Sequence, residues 1–564
     1  MNKKKKITSI LNDAKSLIDI FLFYKNNLPM QKFLFKKENN NWIGKSFLEI
    51  YKNVQKLSNF FKESGVKKGD RIFLLSSNRI EWAEIDLGIM FTGAITVPSF
   101  VTNNTDDNSF IIKNCSPRLI ILEDFLIYKK NEKFLKKYKN SKIVLIEKYH
   151  AFISYKEITA KEVIDTKPIK INSSDISTII YTSGTSSYPK GVVLSHKSLI
   201  HNLRSALVLL NEFGIKQEKF ISFLPLSHSY ERMAGLYFPL LIGAEIYFCS
   251  SLDKLMNEIK EIKPTIFSGV PRLFENIFKK IKNQINKVSF FKRIILKVCF
   301  YSFEDNQQNK LSRYLSKIFI FLFLKTSVKK IFGGDVKALI SGGAALSPKI
   351  GLFFNEIGLT LLQGYGQTEA APLISCNTKK FNSPSTVGFP VKDVEIKIAV
   401  DGEVLVKGSN VMIGYWKNKK LTSQTIKKQW LYTGDLGFLD NIGRLVINGR
   451  KKDLIVTSGG DNISVQKIET KLLEQIEIEQ AIVFGDNKPF LIALLVVESI
   501  KNKGKYTALI QKINTSLNSI ERIRKFLLLK EKFTYENGFL TQTHKIKREK
   551  VYLSYKDEIE KLYK

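Results

Sequence analysis

The stretch Tyr181-Thr-Ser-Gly-Thr-Ser-Ser-Tyr-Pro-Lys-Gly191 is a run of small hydroxylated residues and glycines that ends in a lysine and a glycine. The apolar residues 176–180 before it predict a short strand, and residues 192–200 after it predict a helix with Ser195 as a candidate N-cap. Such a loop surrounds a polyanion with backbone N–H groups, hydroxyls and a cation, so it predicts a site for nucleotide phosphates. It is not a Walker P-loop, because the pattern G-x-x-x-x-G-K-S/T is absent. Standing alone, the stretch would favour a simple surface turn.

Four further motifs follow downstream. They are Gln363-Gly-Tyr-Gly-Gln-Thr-Glu369, Tyr432-Thr-Gly-Asp435, Gly449-Arg-Lys-Lys-Asp453 and Thr543-His-Lys545. In this order the set resembles the adenylate-forming superfamily of acyl-CoA synthetases, adenylation domains and luciferases, over nearly the whole chain. Two more segments resemble its long-chain fatty acyl-CoA synthetase branch, namely Leu224-Pro-Leu-Ser-His-Ser-Tyr-Glu-Arg232 and Gly269-Val-Pro-Arg-Leu-Phe-Glu275.

Length and composition bound the class of protein. A chain of 564 residues is too long for one hydrophobic core, so we expect at least two domains. The four cysteines are scattered and form no C-x-x-C pair, which argues against a zinc site or a disulfide framework and suits a reducing compartment. Residues 7–13 supply no apolar signal segment after the basic start, so we predict a cytoplasmic protein.

The formal charge of +36 is compatible with three interpretations. Nucleic-acid binding is disfavoured, because no base-stacking basic patch or known nucleic-acid module is present. Attraction to anionic lipid is the second interpretation, which would place the protein at the inner face of a membrane. The third is a solvated surface that reflects biased composition. Residues 285–330, with apolar clusters bracketed by lysines, could form either interfacial helices or helices packed on the main body.

The fold class follows from alternating strands and helices. Residues 71–75, 81–90 and 94–97 predict a strand, a helix and a strand, which is a βαβ unit and implies a parallel sheet. We therefore predict an α/β body of several subdomains with parallel and mixed sheets over residues 1–450. Beyond it, residues 451–564 predict a small, mobile α+β lid. The resemblance implies an inter-domain hinge at Lys452.

The resemblance also implies roles in holding ATP. The β- and γ-phosphates would lie against the first motif, through Thr182, Ser183, Gly184, Thr185 and Lys190. Thr368 would meet the α-phosphate, and Glu369 would bind Mg²⁺ through its hard carboxylate oxygens. Tyr365 would stack on adenine, with Gly342 and Gly343 close to its other side. Asp435 would accept hydrogen bonds from the ribose hydroxyls, and Arg450 would donate to the same sugar.

The remaining roles concern catalysis and the thiol. Lys545 would be the adenylation lysine, and His228 would lie near the junction of the acyl group and the phosphate. Gly459 and Gly460 would line the path of CoA. Three residues depart from the family pattern: Asp461 and Val465 next to this turn, and Gln542 near the lysine. The first two bear on how the thiol acceptor binds.

Each motif also has a plainer interpretation. A lone glutamate such as Glu369 is usually only solvated, the Thr-Gly-Asp435 sequence is ordinary hairpin chemistry, and His228 could be purely structural. Taken together, the motifs predict ATP-dependent activation of a long-chain fatty acid to an acyl-adenylate, followed by transfer to CoA. A fatty acyl-acyl carrier protein ligase is the nearest alternative. A non-catalytic membrane- or nucleic-acid-binding protein that keeps the fold is the alternative from another class.

Overall fold

In the computed structural model the described residues are 3–138, 141–182, 188–285, 325–459, 461–534, 537–540 and 546–564. Several predicted features lie outside them: Ser183, Gly184, Thr185, Gly460, Lys545 and most of the segment 285–330. Within the described residues, no helix combines the length and the apolar character that crossing a membrane requires.

The strands of the described residues form six sheets, and we number these strands in chain order. They are β1 (Lys32–Glu38), β2 (Asn41–Ser46), β3 (Arg71–Leu75), β4 (Ile95–Ser99), β5 (Leu119–Leu122), β6 (Lys142–Leu145), β7 (Ile153–Ser154), β8 (Ile176–Thr182), β9 (Lys190–Ser195), β10 (Lys219–Ser222), β11 (Glu245–Phe248), β12 (Ile266–Gly269), β13 (Ala338–Ser341), β14 (Leu361–Gly366), β15 (Leu373–Cys376), β16 (Phe389–Pro390), β17 (Val394–Ile398), β18 (Glu403–Gly408), β19 (Gly414–Tyr415), β20 (Ile426–Lys427), β21 (Trp430–Leu439), β22 (Leu445–Arg450), β23 (Leu454–Val456), β24 (Asn462–Ser464), β25 (Ile478–Phe484), β26 (Leu491–Val497) and β27 (Ile523–Leu529).

The helices are numbered in the same way. They are α1 (Lys3–Asp13), α2 (Leu17–Asn27), α3 (Phe47–Glu63), α4 (Ile80–Phe91), α5 (Thr105–Cys115), α6 (Phe125–Leu135), α7 (Tyr155–Ala160), α8 (His196–Asn211), α9 (Ser229–Glu231), α10 (Phe238–Ile242), α11 (Leu255–Ile262), α12 (Pro271–Ile285), α13 (Pro348–Glu356), α14 (Lys419–Thr425), α15 (Val465–Leu473), α16 (Lys503–Asn514), α17 (Arg548–Ser554) and α18 (Lys556–Tyr563), with a π-helix at Arg232–Tyr237.

The largest sheet has eight strands in the order β19-β9-β8-β4-β3-β5-β6-β7. The predicted βαβ unit is confirmed, since β3 and β4 pair in parallel and α4 connects them. One boundary differs from the prediction, because β4 continues through Pro98 to Ser99. The sheet changes direction at β9, which is antiparallel to β8 and to β19. This edge holds Thr182 and Lys190, which belong to the first motif.

The segment after that motif corrects one prediction. Residues 192–195 were expected to begin a helix, but they belong to β9, because β8 pairs with them from Ile176 to Thr182. The predicted N-cap is correct. Ser195 Oγ accepts a hydrogen bond from the Ser198 backbone N–H at 3.1 Å, and α8 begins at the next residue, His196.

Three further sheets complete the body. One has the order β10-β11-β1-β2, and a second has the order β12-β13-β14-β15-β16. In the second, β12, β13 and β14 are parallel and β15 turns back antiparallel to β14. The third contains β17-β18-β21-β20, with β22 paired to β21. The ends of β8 and β14 and the middle of β21 carry three of the motifs, and the Tyr365 hydroxyl on β14 donates a hydrogen bond to Asp435 on β21.

The C-terminal domain has its own core. The sheet β25-β26-β27 packs its buried strand β26 between two apolar clusters, one formed with α15 and α16 and the other with α17 and α18. Both clusters are made only of residues between Ile455 and Tyr563. A large α/β body and a separate C-terminal domain are therefore present, as the sequence predicted.

A buried ion pair joins the helices to the large sheet behind the site. Asp86 on α4 is fully buried and accepts hydrogen bonds from Thr96 Oγ1 at 2.7 Å and from the Tyr237 hydroxyl at 2.8 Å. It also pairs with the guanidinium of Arg232, which donates to Thr178 Oγ1 at 2.8 Å. These partners satisfy the buried carboxylate and fix the π-helix against β4 and β8.

Candidate active site

A cavity of about 1400 Å³ lies where the sheets meet. Most of the predicted site residues that the structure describes line it: Thr182, Lys190, His228, Gly342, Gly343, Tyr365, Thr368, Glu369, Arg450 and Lys452. Asp435 lies directly behind two of them, and Gly459 is exposed and does not line the cavity. The structure thus brings together motifs that are up to 270 residues apart in the chain, from Thr182 to Lys452.

The first motif frames one wall. Thr182 and Lys190 face each other across β8 and β9, so the strand pairing closes the loop between them. Burial lowers the pKa of the Lys190 ammonium, and the charge of Lys452 lowers it further, whereas Glu369 opposes the shift. Both cations therefore face the same part of the cavity, where an anion would relieve their repulsion.

The turn after β14 presents Thr368 and Glu369. Thr368 Oγ1 shares a hydrogen bond with Ser229 Oγ at 3.0 Å, which joins this turn to α9. Glu369 Oε1 accepts a hydrogen bond from the Tyr415 hydroxyl at 2.9 Å. The Glu369 carbonyl oxygen also accepts from the Met412 N–H at 2.9 Å. The glutamate is therefore held in place, which differs from a freely solvated side chain.

Asp435 is the centre of a small polar network. It is 4% exposed, and its two oxygens accept hydrogen bonds from the Tyr365 hydroxyl at 2.6 Å and from Arg450 Nε at 2.7 Å. Burial and the nearby Asp435 charge raise the pKa of Tyr365. The Thr433-Gly-Asp435 sequence lies inside β21, so it is not a hairpin corner. The strand pairing of Asp435 with Arg450 explains why these two motifs lie at one place.

The segment around His228 is partly structural. His228 Nδ1 accepts a hydrogen bond from the Tyr230 N–H at 3.1 Å, so the imidazole caps α9. The ring of Tyr230 lies so close to Gly342 that a Cβ there would stand 2.8 Å from Tyr230 Cε2. A glycine at position 342 is therefore required by this tyrosine, whatever the ligand.

Glu231 is a buried acid under the same turn. Its Oε1 accepts a hydrogen bond from Ser222 Oγ at 2.7 Å, and the side chain is inaccessible to solvent. Burial raises its pKa to about 8, although the Ser222 hydroxyl opposes the shift. Asn78 donates to Ser222 Oγ at 3.1 Å and accepts from the Leu226 N–H at 2.8 Å, so the network reaches the loop before His228. Glu231 therefore helps to hold this turn while it is protonated.

The C-terminal domain closes one side of the cavity. Ile546, Lys547 and Arg548 line it together with Asp486 and Lys488. Arg548 pairs with Glu469 at 2.7 Å, which ties the start of α17 to α15. Leu540 and Ile546 form an isolated antiparallel bridge. The residues on either side of the segment that contains Lys545 are therefore fixed, and those on its C-terminal side face the cavity.

The donor set suits a magnesium ion that is bound mainly by a nucleotide. Within the described part of the chain, no cluster of three or more His, Cys, Asp or Glu residues could enclose a metal. Glu369 supplies one carboxylate, and Thr368 supplies a hydroxyl beside it. Mg²⁺ is usually held by one or two carboxylates together with substrate phosphates and water, so these residues fit that ion.

A second set of residues that line the cavity is apolar, and the sequence did not reveal this set. These residues come from α8, the π-helix, α10 and the strands β10 and β15: Ala206, Leu209, Leu210, Phe220, Met233, Ala234, Phe238, Leu373 and Cys376. Burial raises the pKa of the Cys376 thiol to about 12, so it is a neutral part of this wall. A second missed residue is Tyr415, which contacts Glu369. Neither feature has a local motif, because both arise from contacts between distant segments.

Comparison with known proteins identifies the family. An "AMP-binding enzyme" model matches residues 28–416, and an "AMP-binding enzyme C-terminal domain" model matches residues 452–564. The chain is 30% identical to the long-chain-fatty-acid–CoA ligase FadD15 of Mycobacterium bovis, over 88% of this chain and 89% of that protein. It is 29% identical to the long-chain-fatty-acid–[acyl-carrier-protein] ligase AEE15, chloroplastic, of Arabidopsis thaliana, over 88% and 80%. The fold matches the adenylation domain of a Mycobacterium chelonae carboxylate reductase with a TM-score of 0.81 at 18% identity, over 99% and 93% of the two chains.

The buried acid gives a prediction about pH. Between its usual pKa of 4.5 and about 8, Glu231 binds more protons when folded than when unfolded, so it makes stability fall as pH rises through that window. Glu231→Gln keeps the shape without the ionisation. We expect the free energy of unfolding of the variant, minus that of the parent protein, to rise by on the order of a few kcal/mol as the pH rises through this window. Urea unfolding followed by circular dichroism at several pH values measures this.

A surface variant is the control for that series. The pKa of Glu132 is lowered to about 2 by hydrogen bonds from Lys129 and Lys136, so it stays ionised in both states over most of the window. Glu132→Gln should therefore show a nearly constant offset there. If Glu231→Gln shows the same constant offset, Glu231 is not a protonated buried acid.

Proposed function

Because the chain belongs to the AMP-binding enzyme family, in its long-chain acyl-CoA synthetase branch, we propose that it joins a long-chain fatty acid to CoA with cleavage of ATP to AMP and pyrophosphate. One observation carries this proposal. The lining of one cavity includes a polar set of residues, among them Lys190, Glu369 and Arg450, which we call the polar arm, and an apolar set, among them Ala206 and Leu210, which we call the apolar arm. A carboxylate whose alkyl chain occupies the apolar arm would meet a nucleotide in the polar arm.

The first half-reaction needs the nucleotide to be fixed. In the proposal, Thr182 and Lys190, with the neighbouring Ser183, Gly184 and Thr185, hold the β- and γ-phosphates. Asp435 and Arg450 hold the ribose, and Tyr365 supports the adenine, with Gly342 and Gly343 on its other side. A bound Mg²⁺ at Glu369 would neutralise phosphate charge. The observed network around Asp435 supports the ribose assignment, because hydrogen bonds from Tyr365 and Arg450 hold this carboxylate in a fixed orientation on β21.

The proposed reaction has two steps. A carboxylate oxygen of the fatty acid attacks the α-phosphorus, and the bond to the β-phosphate oxygen breaks, so pyrophosphate leaves with the electron pair. The thiolate of CoA next attacks the acyl carbon, and AMP leaves. Thr368 and His228 line the same cavity, and in the proposal they lie near the junction of the acyl group and the phosphate, where charge develops during both steps. Lys545 would stabilise the charge of the first transition state.

We further propose that residues 1–450 form the body and residues 451–564 a lid that moves about Lys452. The family models support this division, since one ends at 416 and the other begins at 452. Direct hydrogen bonds between the parts include Ser347 Oγ to Glu474 Oε1 at 2.6 Å and Lys279 Nζ to the Ile478 carbonyl oxygen at 2.9 Å. Rotation would exchange Lys545 for Gly459 and Gly460 at the reacting centre, which gates the second step.

The thiol acceptor separates two candidate functions. The similarity to AEE15 and the net charge of +36 favour an acidic acyl carrier protein as a second candidate acceptor. Thioester formation from fatty acid and ATP-Mg²⁺ should be measured with CoA and with carrier protein in parallel. We expect at least roughly tenfold higher kcat/KM with CoA. A preference for the carrier protein would show that this protein, and not CoA, is the acceptor. No pyrophosphate release with either acceptor would contradict the enzyme assignment and favour a non-catalytic binding protein.

The last part of the proposal concerns where the protein lies in the cell. We propose a cytoplasmic protein that touches the inner face of an anionic membrane through its basic surface. The predicted lipid-binding segment, residues 285–330, lies mostly outside the described residues. Nothing among the described contacts supports a nucleic-acid partner.

The apolar arm gives a prediction about chain length. Ala206 leaves space in its wall, so Ala206→Phe should fill the arm and reject long chains more than short ones. We expect the ratio of kcat/KM for hexadecanoate over that for octanoate to fall by roughly tenfold or more. Val208→Phe is the matched control, since Val208 is 56% exposed on the same helix. An equal effect of Ala206→Phe on both acids, or an equal ratio change in the control, would show that this arm does not hold the chain.

The lid gives a prediction about the two half-reactions. Lys545→Ala should lower acyl-adenylate formation by about 100-fold or more, because the ammonium acts on charge that appears only in that transition state. Thioester formation from supplied acyl-adenylate should remain largely intact. Lys512→Ala, on the exposed side of α16 in the same domain, should change neither rate. Equal slowing of both half-reactions by Lys545→Ala would show that the lysine is structural.

A further inference from the structure

Tyr415 links Glu369 to β9, the strand that begins at Lys190. It ends β19, the short edge strand that pairs with β9 through Gly414 to Val193 and Tyr415 to Val192. The next residue, Trp416, donates its backbone N–H to the Gly191 carbonyl oxygen at 2.7 Å. Tyr415 is therefore held in register with the first residues after Lys190.

The segment 412–415 also makes two hydrogen bonds to Glu369. The Met412 N–H donates to the Glu369 carbonyl oxygen at 2.9 Å, and the Tyr415 hydroxyl donates to Glu369 Oε1 at 2.9 Å. The Tyr415 N–H in turn donates to Thr422 Oγ1 at 2.9 Å, which ties the strand to α14. The backbone and the carboxylate of Glu369 are thus both fixed by residues 412–415.

Tyr415 also lies beside the loop lysine. Lys190 Nζ is 5.9 Å from the centre of the Tyr415 ring, and both residues line the cavity. The phenol hydrogen bond occupies only Oε1 of Glu369. Among the described residues, Oε2 accepts no hydrogen bond that would compete with a metal.

We propose that Tyr415 is a positioning residue for the metal site: its hydroxyl fixes one oxygen of Glu369, presents the other to the magnesium of bound ATP, and keeps that carboxylate aligned with Lys190. The inference rests on the proposed nucleotide site. Partners that orient a metal ligand typically contribute 10- to 100-fold to metal affinity. A phenol that serves only packing would contribute nothing specific to magnesium.

The test is Tyr415→Phe, which removes one oxygen and keeps the ring. Two readouts are followed against free Mg²⁺ concentration: pyrophosphate release, and thermal stabilisation by a non-hydrolysable ATP analogue without fatty acid. We expect the half-saturating Mg²⁺ concentration to rise by roughly tenfold in both, with kcat nearly restored at saturating Mg²⁺. An unchanged Mg²⁺ midpoint, or a kcat lowered by the same factor at every Mg²⁺ concentration, overturns the proposal.

Two further variants sharpen the result. Tyr247→Phe removes a similar bond, from a tyrosine hydroxyl to Glu245 Oε2 at 2.7 Å, on β11 away from the cavity, and should leave the midpoint unchanged. In a Glu369→Gln background, Tyr415→Phe should cause no further shift, and a further tenfold shift there would overturn the proposal. Because the thermal readout needs no fatty acid, it tests Tyr415 even if pyrophosphate release fails and the proposed function is wrong.

Discussion

The pairing of β9 with β8 on one side and with β19 on the other is the constraint on which the site depends. The antiparallel pairing with β8 places Thr182 opposite Lys190, the lysine of the first motif. The pairing with β19 brings Tyr415 to the same edge from more than 200 residues further along the chain, and Tyr415 reaches Glu369. Backbone hydrogen bonds fix this register, so the cation and the carboxylate keep a defined relation before any ligand binds.

Electrostatics explains why that relation matters. Lys190, Arg450, Lys452 and Lys547 line one cavity, and burial already lowers the pKa of Lys190. A polyphosphate that entered beside Lys190 and Lys452 would relieve the repulsion between these two cations. The apolar arm beside it offers no such charge. A polar and an apolar set of residues thus line one cavity, and the proposed reaction rests on this arrangement.

Much of the fold could be predicted because its signals are local. The strand at residues 71–75, the helix after it and the Ser195 cap follow from hydrophobic periodicity and hydroxyl chemistry. Residues 192–195 were predicted as helix because their extended state depends on a partner strand, which a local pattern does not contain. The motifs indicated residues that do line one cavity, from Thr182 to Arg450. The apolar lining and Tyr415 could not be predicted, because residues such as Ala206 reach the cavity only when distant elements meet.

The central claim is that one cavity forms an acyl-adenylate before any thiol takes part. Exchange of labelled pyrophosphate into ATP, in the presence of fatty acid and Mg²⁺ and without CoA or carrier protein, measures that step most directly. The structure predicts exchange that requires the fatty acid and that is lost when either the acid or Mg²⁺ is omitted. Exchange that appears only after a thiol acceptor is added, or none with any fatty acid from short to very long, would contradict the account.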